Sequence, residues 1–329
     1  MRNQFFCFAL LLLTTLFSCS ESETPAAEET AGYVPTLTAN FDSLKMPRTH
    51  IDGNTGETSW SADDELLVFV HESGKQPTSE AQWASCRYKF VTDATHCIKN
   101  QFRQESNSQQ RLKLNPEKSY DWYVMAPYSE TVKSPVGHGS FSISDQTLDF
   151  DNNTAHLGAK DIMTSTDRNV KAEEKVTISL RHLTTLMMFR VHNKLGTDFL
   201  PLRMEFETKS NLSAQIAGKY AVDFEKGLRA INETNKMSLA FVNAKTVKSE
   251  SYFDIYAIMN PFELAPNDQF CIRVITDKSN SLQTSTMRKT VTFRAGTINR
   301  ANVKVNSNST EDNIGPWENQ GEYDEDIQM

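Results

Sequence analysis

The side chains whose spacing could form a metal site are few, and the best placed lie in the segment DFDNNTAHLGAK. Asp149, Asp151 and Asn153 occupy the first, third and fifth positions of a calcium-binding loop. The sixth position, which needs glycine for a sharp turn, is Thr154, and the twelfth, which needs a bidentate carboxylate, is Lys160. Because a lysine there repels the ion, the segment predicts an Asx-rich turn and no calcium site.

Cysteine and histidine offer a second candidate cluster. Cys86, His96 and Cys97 could ligate zinc, but structural zinc takes four ligands and no fourth residue is suitably spaced. Cys86 and Cys97 also flank RYKFVTDATH, which could be a hairpin closed by a local disulfide, and two buried thiols are the alternative. With Cys271, the body of the chain holds an odd number of cysteines, so these three thiols cannot all pair within one molecule. We predict no metal or other cofactor.

Enzyme motifs are missing from the sequence: it has no nucleophile elbow, zinc-protease helix, phosphate-binding glycine loop or dinucleotide fingerprint. GHGS at 137–140 is interpreted as a flexible turn, because no base or acid can be assigned to its serine. His182 lies among apolar residues and is predicted to be a hydrogen-bonded packing residue. Trp60, Trp122 and Tyr123 could stack on sugars, but such residues in a β protein favour the core. The sequence therefore predicts a protein that is not an enzyme.

The length and net charge of the chain limit the number of domains and the kinds of partner it can have. The chain has 329 residues, which is enough for two domains of ordinary size. Its formal net charge is −8 and it has no basic block, whereas nucleic-acid binding depends on clustered Lys and Arg. We therefore expect no nucleic-acid partner.

The start of the chain predicts export. Arg2 precedes an apolar run from Phe5 to Phe17, which is shorter than the roughly 20 residues that span a bilayer and predicts a signal peptide over 1–18. LFSC resembles a bacterial lipobox, in which cleavage between Ser18 and Cys19 leaves Cys19 with lipid, such as palmitate, on its thiol and amine. Two or more acyl chains hold a membrane durably. The alternative is an ordinary secretory signal.

A tether and a first strand follow the predicted signal peptide. Residues 19–35 are polar and acidic and predict a flexible tether, because they carry too few apolar side chains to fold. TLTANF places Leu37, Ala39 and Phe41 on one face, which predicts a half-buried strand. The next segment, KMPRTHIDGNTGETS, predicts a long exposed loop.

The remaining sequence alternates short β-branched or aromatic runs with turn residues and contains no long helical period. The fold class is therefore all-β, and the spacing of the strands favours β-sandwiches. A polar stretch at 165–174 is taken as the boundary between one domain at 36–168 and another at 169–308, and 309–329 is an acidic tail. Strands are predicted at 65–70, 87–91, 111–114, 120–127, 140–144, 175–180, 186–193, 203–208, 237–242, 252–261, 270–276, 289–296 and 301–306.

Six stretches in a fixed order carry a family resemblance: the lipobox Cys19, TLTANF followed by an Arg, TSWSADDELLVFV, KDIMTST, VTISLRHLTTLMMFRV and FRAGTINRANVKV. Together they resemble the fimbrillin-like family of Bacteroidetes surface lipoproteins, whose subunits build type V pili. The sequence departs from the family pattern at Asp63-Asp64, where Gly-Asp is usual, and in its strongly acidic tail.

The resemblance implies two transthyretin-like β-sandwich domains in tandem and an assembly mechanism. The lipoprotein would reach the outer membrane and the cell surface, where a trypsin-like protease would cut between Arg48 and Thr49. The cut would release the lipid together with the strand of Leu37, Ala39 and Phe41, and a strand from another pilus subunit would fill the gap. Arg48 is the first Arg after the leader and lies in an exposed loop, with Lys45 as the rival site.

Two roles stay open at this point. The region after Val305 has poor period-two patterning, which favours a tip or accessory subunit of a fimbrium that contributes to cell adhesion. The alternative is a permanently lipid-anchored binding module, either a pilus base or an adhesin for a glycan or host matrix. The tail could be a donor strand or a disordered segment.

Overall fold

A computed structural model of the chain describes residues 34–41, 50–51, 58–79, 83, 85–91, 100–105, 112–151, 154–210, 214–306 and 318–320. The regular elements within these ranges are all strands. They are β1 (Thr36–Phe41), β2 (His50–Ile51), β3 (Thr58–Ser59), β4 (Glu65–Glu72), β5 (Ser85–Phe90), β6 (Gln101–Gln104), β7 (Ser119–Ala126), β8 (Val136–Ile143), β9 (Gln146–Asp149), β10 (Met163–Lys171), β11 (Lys175–His182), β12 (Thr185–Asn193), β13 (Pro201–Lys209), β14 (Ala217–Asp223), β15 (Gly227–Thr234), β16 (Lys236–Val242), β17 (Tyr252–Met259), β18 (Phe262–Leu264), β19 (Gln269–Thr276), β20 (Asn280–Thr286), β21 (Val291–Phe293), β22 (Ile298–Val305) and β23 (Glu318–Gln320).

The all-β fold class is confirmed, and period-two alternation is its cause. In β11, every second side chain is buried, including Val176, Ile178 and Leu180, while the residues between them face outward. Such alternation buries one face of a strand and leaves the other to solvent, as a sheet packed on one side requires. The tandem transthyretin-like arrangement stays a prediction.

The first half of the described chain forms a seven-stranded sheet that closes on itself in the order β1-β11-β10-β7-β4-β5-β6, with β6 returning to β1. Its interior is filled by large side chains, among them Trp60, Tyr88, Phe102 and Trp122. Trp60 and Phe102 meet edge to face, with ring centroids 4.7 Å apart. Because the sheet closes, removing any one strand opens the core directly.

A three-stranded sheet, β15-β14-β8, packs against the outside of the closed sheet. Phe69 of β4 lies 5.9 Å from Phe224, which directly follows β14, and both belong to one apolar cluster with Tyr123 of β7. Strand β8 contains residues 137–140, so the flexible turn expected there is wrong. Gly137 and Gly139 have φ of +82° and +98°, a backbone conformation that glycine adopts readily, within a continuous strand.

Strands from the second half, joined by β9 from the first, form two facing sheets, β17-β12-β22-β23 and β20-β19-β13-β16-β9. Aromatic rings from both sheets fill the space between them, and Phe189 of β12 stacks on Phe206 of β13 with centroids 5.0 Å apart. This is the packing of a β-sandwich.

The predicted domain boundary near residues 165–174 stays a prediction, but the structure shows what the segment does. Most of it belongs to β10, which pairs with β7 inside the closed sheet through a bulge between Asp167 and Val170. Strand β11 follows and pairs with β1, so the closed sheet continues to His182.

Candidate strand-exchange site

Strand β1 is the element that closes the first sheet. It runs parallel to β11 over six residue pairs, which place Leu37 beside Val176 and Ala39 beside Ile178. Its other edge runs antiparallel to β6 over only two pairs, and Leu37 lies beside Phe102 there. The strand predicted from alternation at this position is therefore present, inserted between two neighbours.

The side chains of β1 complete the core. Leu37 and Ala39 are fully buried, and both belong to the cluster that fills the closed sheet. Phe41 continues the strand and pairs through its backbone with Leu180, but its side chain lies outside the described residues. Two inward side chains and one full ladder of backbone hydrogen bonds thus attach β1 to the protein.

Besides the two residue pairs with β6, two side chains and one further backbone group form hydrogen bonds with β1 and the residue before it. The Trp60 Nε1–H donates to the carbonyl of Ala39 at 3.2 Å, and the Tyr88 hydroxyl donates to the carbonyl of Pro35 at 3.2 Å. The backbone N–H of Ala39 donates to the carbonyl of Asn100 at 2.9 Å. Burial raises the pKa of Tyr88, which keeps its hydroxyl protonated and able to donate.

Sequence reasoning identified Trp60 as a core residue, and its 6% exposure confirms this. It missed the hydrogen bond to Ala39 and it missed Tyr88 altogether. Trp60 is 21 positions from Ala39 and Tyr88 is 53 from Pro35, so no local pattern connects the partners.

The residues predicted for lipid attachment and cleavage lie outside the described part of the chain. These are Ser18, Cys19, Arg48 and Thr49. The structure resumes at His50, where β2 pairs with β3. Lipidation and cleavage therefore stay predictions.

The calcium-like segment is an Asx turn, as predicted. The Asp149 carboxylate accepts the backbone N–H of Asp151 at 2.9 Å and the Asn243 amide at 3.1 Å. The Asp151 carboxylate pairs with Lys245 Nζ at 2.7 Å, and Asn153 lies outside the described residues. Across the described ranges, no group of three or more His, Cys, Asp or Glu side chains is placed to hold a metal ion.

The cysteine candidates are only partly described. Cys86 is buried, and burial raises the pKa of its thiol to about 11. His96 and Cys97 lie outside the described residues, so the local disulfide stays a prediction. Cys271 is a buried free thiol.

The other aromatic candidates and His182 are structural. Trp122 and Tyr123 are at most 1% exposed, so neither is available to stack on a sugar. His182 Nδ1 lies 2.9 Å from the carboxylate of Asp161, which also accepts the Thr184 hydroxyl at 2.6 Å. His182 is thus a hydrogen-bonded packing residue, as predicted, at the point where the chain passes from the closed sheet to β12.

Within the described ranges, the chain has no helix that is long and apolar enough to cross a membrane. A fimbrillin-like family model matches residues 49–317 of the chain. No curated protein gives a significant match.

Two solved structures resemble this fold. A candidate cell-adhesion protein of Bacteroides ovatus has 17% identity and a TM-score of 0.59, over 88% of this chain and 97% of that one. A candidate cell-adhesion protein of Bacteroides uniformis has 11% identity and a TM-score of 0.52, over 88% and 98% of the two chains. These likenesses concern the fold, whereas the family model covers well over half of the sequence. The chain therefore belongs to the fimbrillin-like family.

Proposed function

We propose that this protein is a fimbrial subunit of the cell surface, contributes to cell adhesion, and assembles by exchanging β1 for a strand of another subunit. The observation that carries the proposal is the position of β1. It is the first strand of the described chain, it fills a core with Leu37 and Ala39, and it is inserted between β6 and β11. Membership of the fimbrillin-like family supports the same function.

The β1 groove is the surface that β1 would leave, bounded by β6 and β11 and lined by Phe102, Val176 and Ile178. Burial of one large aliphatic side chain such as Leu37 contributes about 1.5–3 kcal/mol, and an emptied groove forfeits that along with a row of backbone hydrogen bonds. An open edge of unpaired N–H and C=O groups is a template for another strand. A new strand in the groove restores both the buried side chains and the backbone hydrogen bonds, and this mode of binding is called β-strand addition.

The geometry of the exchange favours a chain of subunits over a closed dimer. The groove and the donated strand are different surfaces, so the contact is heterologous and can repeat along a filament. A subunit that accepts a strand without donating one would end the filament. The poor strand pattern after Val305 supports such a tip or accessory role.

Maturation would begin with lipid on Cys19 and end with a cut between Arg48 and Thr49. A trypsin-like protease needs a cation in its first pocket, and Arg48 is the only Arg between the leader and Arg87. The family match begins at residue 49, so the part of the chain that the cut would remove lies outside it. A protein that is never cut would instead stay anchored as a base or binding module.

Brief treatment of the purified precursor with trypsin tests the cut. We expect a new N-terminus at Thr49 and oligomers that grow with protein concentration. Arg48→Ala should abolish the new N-terminus at Thr49, and Lys45→Ala is the matched control that should preserve it. Because trypsin also cuts after lysine, the oligomers should be lost only in the double variant Lys45→Ala/Arg48→Ala. Fibres on cells that carry Arg48→Ala would refute maturation at this site, and a cut product that stays monomeric at high concentration would favour the anchored role.

Lipid attachment is tested separately. Cys19→Ala should abolish fatty-acid labelling and move the protein out of the detergent phase, while Ser20→Ala, the neighbouring control, should change neither. Unchanged labelling in Cys19→Ala would refute the lipobox interpretation.

A further inference from the structure

The β1 groove carries two polar donors in an apolar wall. The Trp60 Nε1–H donates to the main-chain carbonyl of Ala39 in β1, and the Tyr88 hydroxyl donates to that of Pro35, the residue just before β1. Both donor side chains are buried. Once β1 leaves, the groove still holds these two donors, placed to pair with the carbonyls of an incoming strand.

We propose that Trp60 and Tyr88 hold the incoming strand by its main-chain carbonyls, so that the groove accepts strands of many sequences and selects only for a large aliphatic residue followed two positions later by a small one. This inference rests on the proposed function. Every residue presents a carbonyl, so donors of this kind add affinity without sequence preference. Selection is left to the inward positions of Leu37 and Ala39.

The two inward positions differ in the size that they admit. Leu37 is fully buried between Val176 and Phe102, its neighbours on the two flanking strands. Ala39 is fully buried beside Ile178, and the Trp60 indole lies against its backbone. A larger residue in place of Ala39 would overpack the buried cluster that it shares with Trp60 and Ile178, because a close-packed core has no spare volume.

We expect the incoming strand to be an extended segment of a different protein, because the tail of this chain does not fit the groove. In the tail at 309–329, the large apolar residues are followed two positions later by Pro, Asn, Glu or Met and never by a small residue: Ile314 by Pro316, Trp317 by Asn319, Tyr323 by Glu325 and Ile327 by Met329. The tail of this chain thus lacks the pattern that the groove requires. A second copy of the chain would not supply the strand through its tail.

The test uses the full chain with the recognition sequence of a sequence-specific protease in place of residues 45–49. After the engineered cut, labelled peptides compete with the resident β1 segment, and fluorescence anisotropy measures binding. The probes are the β1 peptide VPTLTANFDS (residues 34–43), the tail peptide (residues 309–329), and β1 peptides that carry Ala39→Leu, Leu37→Ala or Thr38→Val.

We expect the β1 peptide and its Thr38→Val form to bind equally, and the tail, Ala39→Leu and Leu37→Ala peptides to bind at least tenfold more weakly. Trp60→Phe and Tyr88→Phe should each weaken both good peptides by the same factor, about five- to tenfold for one lost hydrogen bond. Trp83→Phe and Tyr220→Phe are matched controls in a different apolar cluster and should change nothing. If Trp60→Phe does not fold, the affinity of Tyr88→Phe for the peptides is sufficient to test the proposal.

Equal binding by the tail peptide, or unchanged affinity in Tyr88→Phe, would overturn the inference while leaving strand exchange intact. Exchange by no peptide would overturn both the inference and the proposed function. The engineered cut does not use Arg48. The proposal that Trp60 and Tyr88 hold the strand by its carbonyls would therefore stand even if the natural protein is not cut after Arg48.

Discussion

Gln146 and Gln283 make the same two-point contact with the backbone of the facing sheet. The Gln146 amide donates to the carbonyl of Ile258 at 2.6 Å and accepts its N–H at 3.1 Å, on the edge strand β17. Gln283 accepts the N–H of Lys304 at 2.9 Å and donates to its carbonyl, on β22. Both glutamines come from the edge strands of the facing sheet, β9 and β20. Each therefore fastens two sheets together, and Gln146 also occupies part of the β17 edge, which could otherwise pair with another chain.

Replacing either glutamine should destabilise the sandwich. Gln146→Ala leaves one buried N–H and one buried carbonyl without their partner, which we expect to cost about 2–4 kcal/mol, and Gln283→Ala does the same at a part-buried site and should cost about 1–2 kcal/mol. Gln269→Ala, in the half-buried start of β19, is the control and should cost less than about 0.5 kcal/mol. Urea denaturation measures all three. Equal midpoints would show that the contacts contribute no net stability.

The carboxylate of Asp161 supports the passage from the closed sheet to β12. It is fully buried and accepts hydrogen bonds from His182 and Thr184. Asp161→Ala removes the acceptor of both, so we expect a loss of about 3–5 kcal/mol, while Thr184→Val, which removes one hydrogen bond, should cost about 1–2 kcal/mol. Thermal unfolding of the two variants measures the difference. A smaller loss for Asp161→Ala than for Thr184→Val would contradict this account.

Alternation predicted the strands that bury one face, such as β11 with Val176, Ile178 and Leu180. It could not find β15, whose side chains are almost all exposed, because a strand that buries nothing carries no apolar period. The polar part of β10 was interpreted as a domain boundary, because only the start of that strand, from Met163 to Ser165, is buried. The hydrogen bonds that Trp60 and Tyr88 donate near β1 could not be predicted for another reason. Strand pairing between distant segments, and not the local sequence, brings these side chains to β1.

Leu37 should contribute more to stability than its neighbour on the same strand. Leu37→Ala creates a cavity in the closed sheet, which costs about 2–5 kcal/mol, whereas Thr38→Ala on the half-exposed face should stay within about 0.5 kcal/mol. Urea denaturation of the uncut protein compares them. If β1 detaches on its own, Leu37→Ala will also speed proteolysis at the engineered site. Equal stability and equal cleavage rates would mean that β1 is not part of the core.

His156 should make stability fall in mild acid. Its Nε2–H donates to the carbonyl of Tyr256 at 3.0 Å, and burial lowers the pKa of the imidazole from its ordinary value of about 6.5. Below that value the unfolded chain binds a proton that the folded chain resists, so stability is present above about pH 6.5 and declines as the pH falls toward 5, by at most about 1.4 kcal/mol per pH unit. His156→Gln keeps an amide donor for Tyr256 and should flatten this part of the curve. An unchanged slope between pH 7 and 5 would refute the assignment.

Gly139 is required by a close approach of two backbones as well as by its φ of +98°. A Cβ at this position would lie 2.1 Å from the carbonyl oxygen of Thr131 and 2.5 Å from the Cα of Val132, where neither backbone can yield cheaply. Gly74 has a similar φ of +80° but open space around the same position. Gly74→Ala should therefore cost only the left-handed strain, about 1–2 kcal/mol, while Gly139→Ala adds the steric clash and should cost more than about 3 kcal/mol. Guanidinium denaturation of the pair separates the two contributions, and equal losses would mean that the strand β8 can move away from Thr131 without cost.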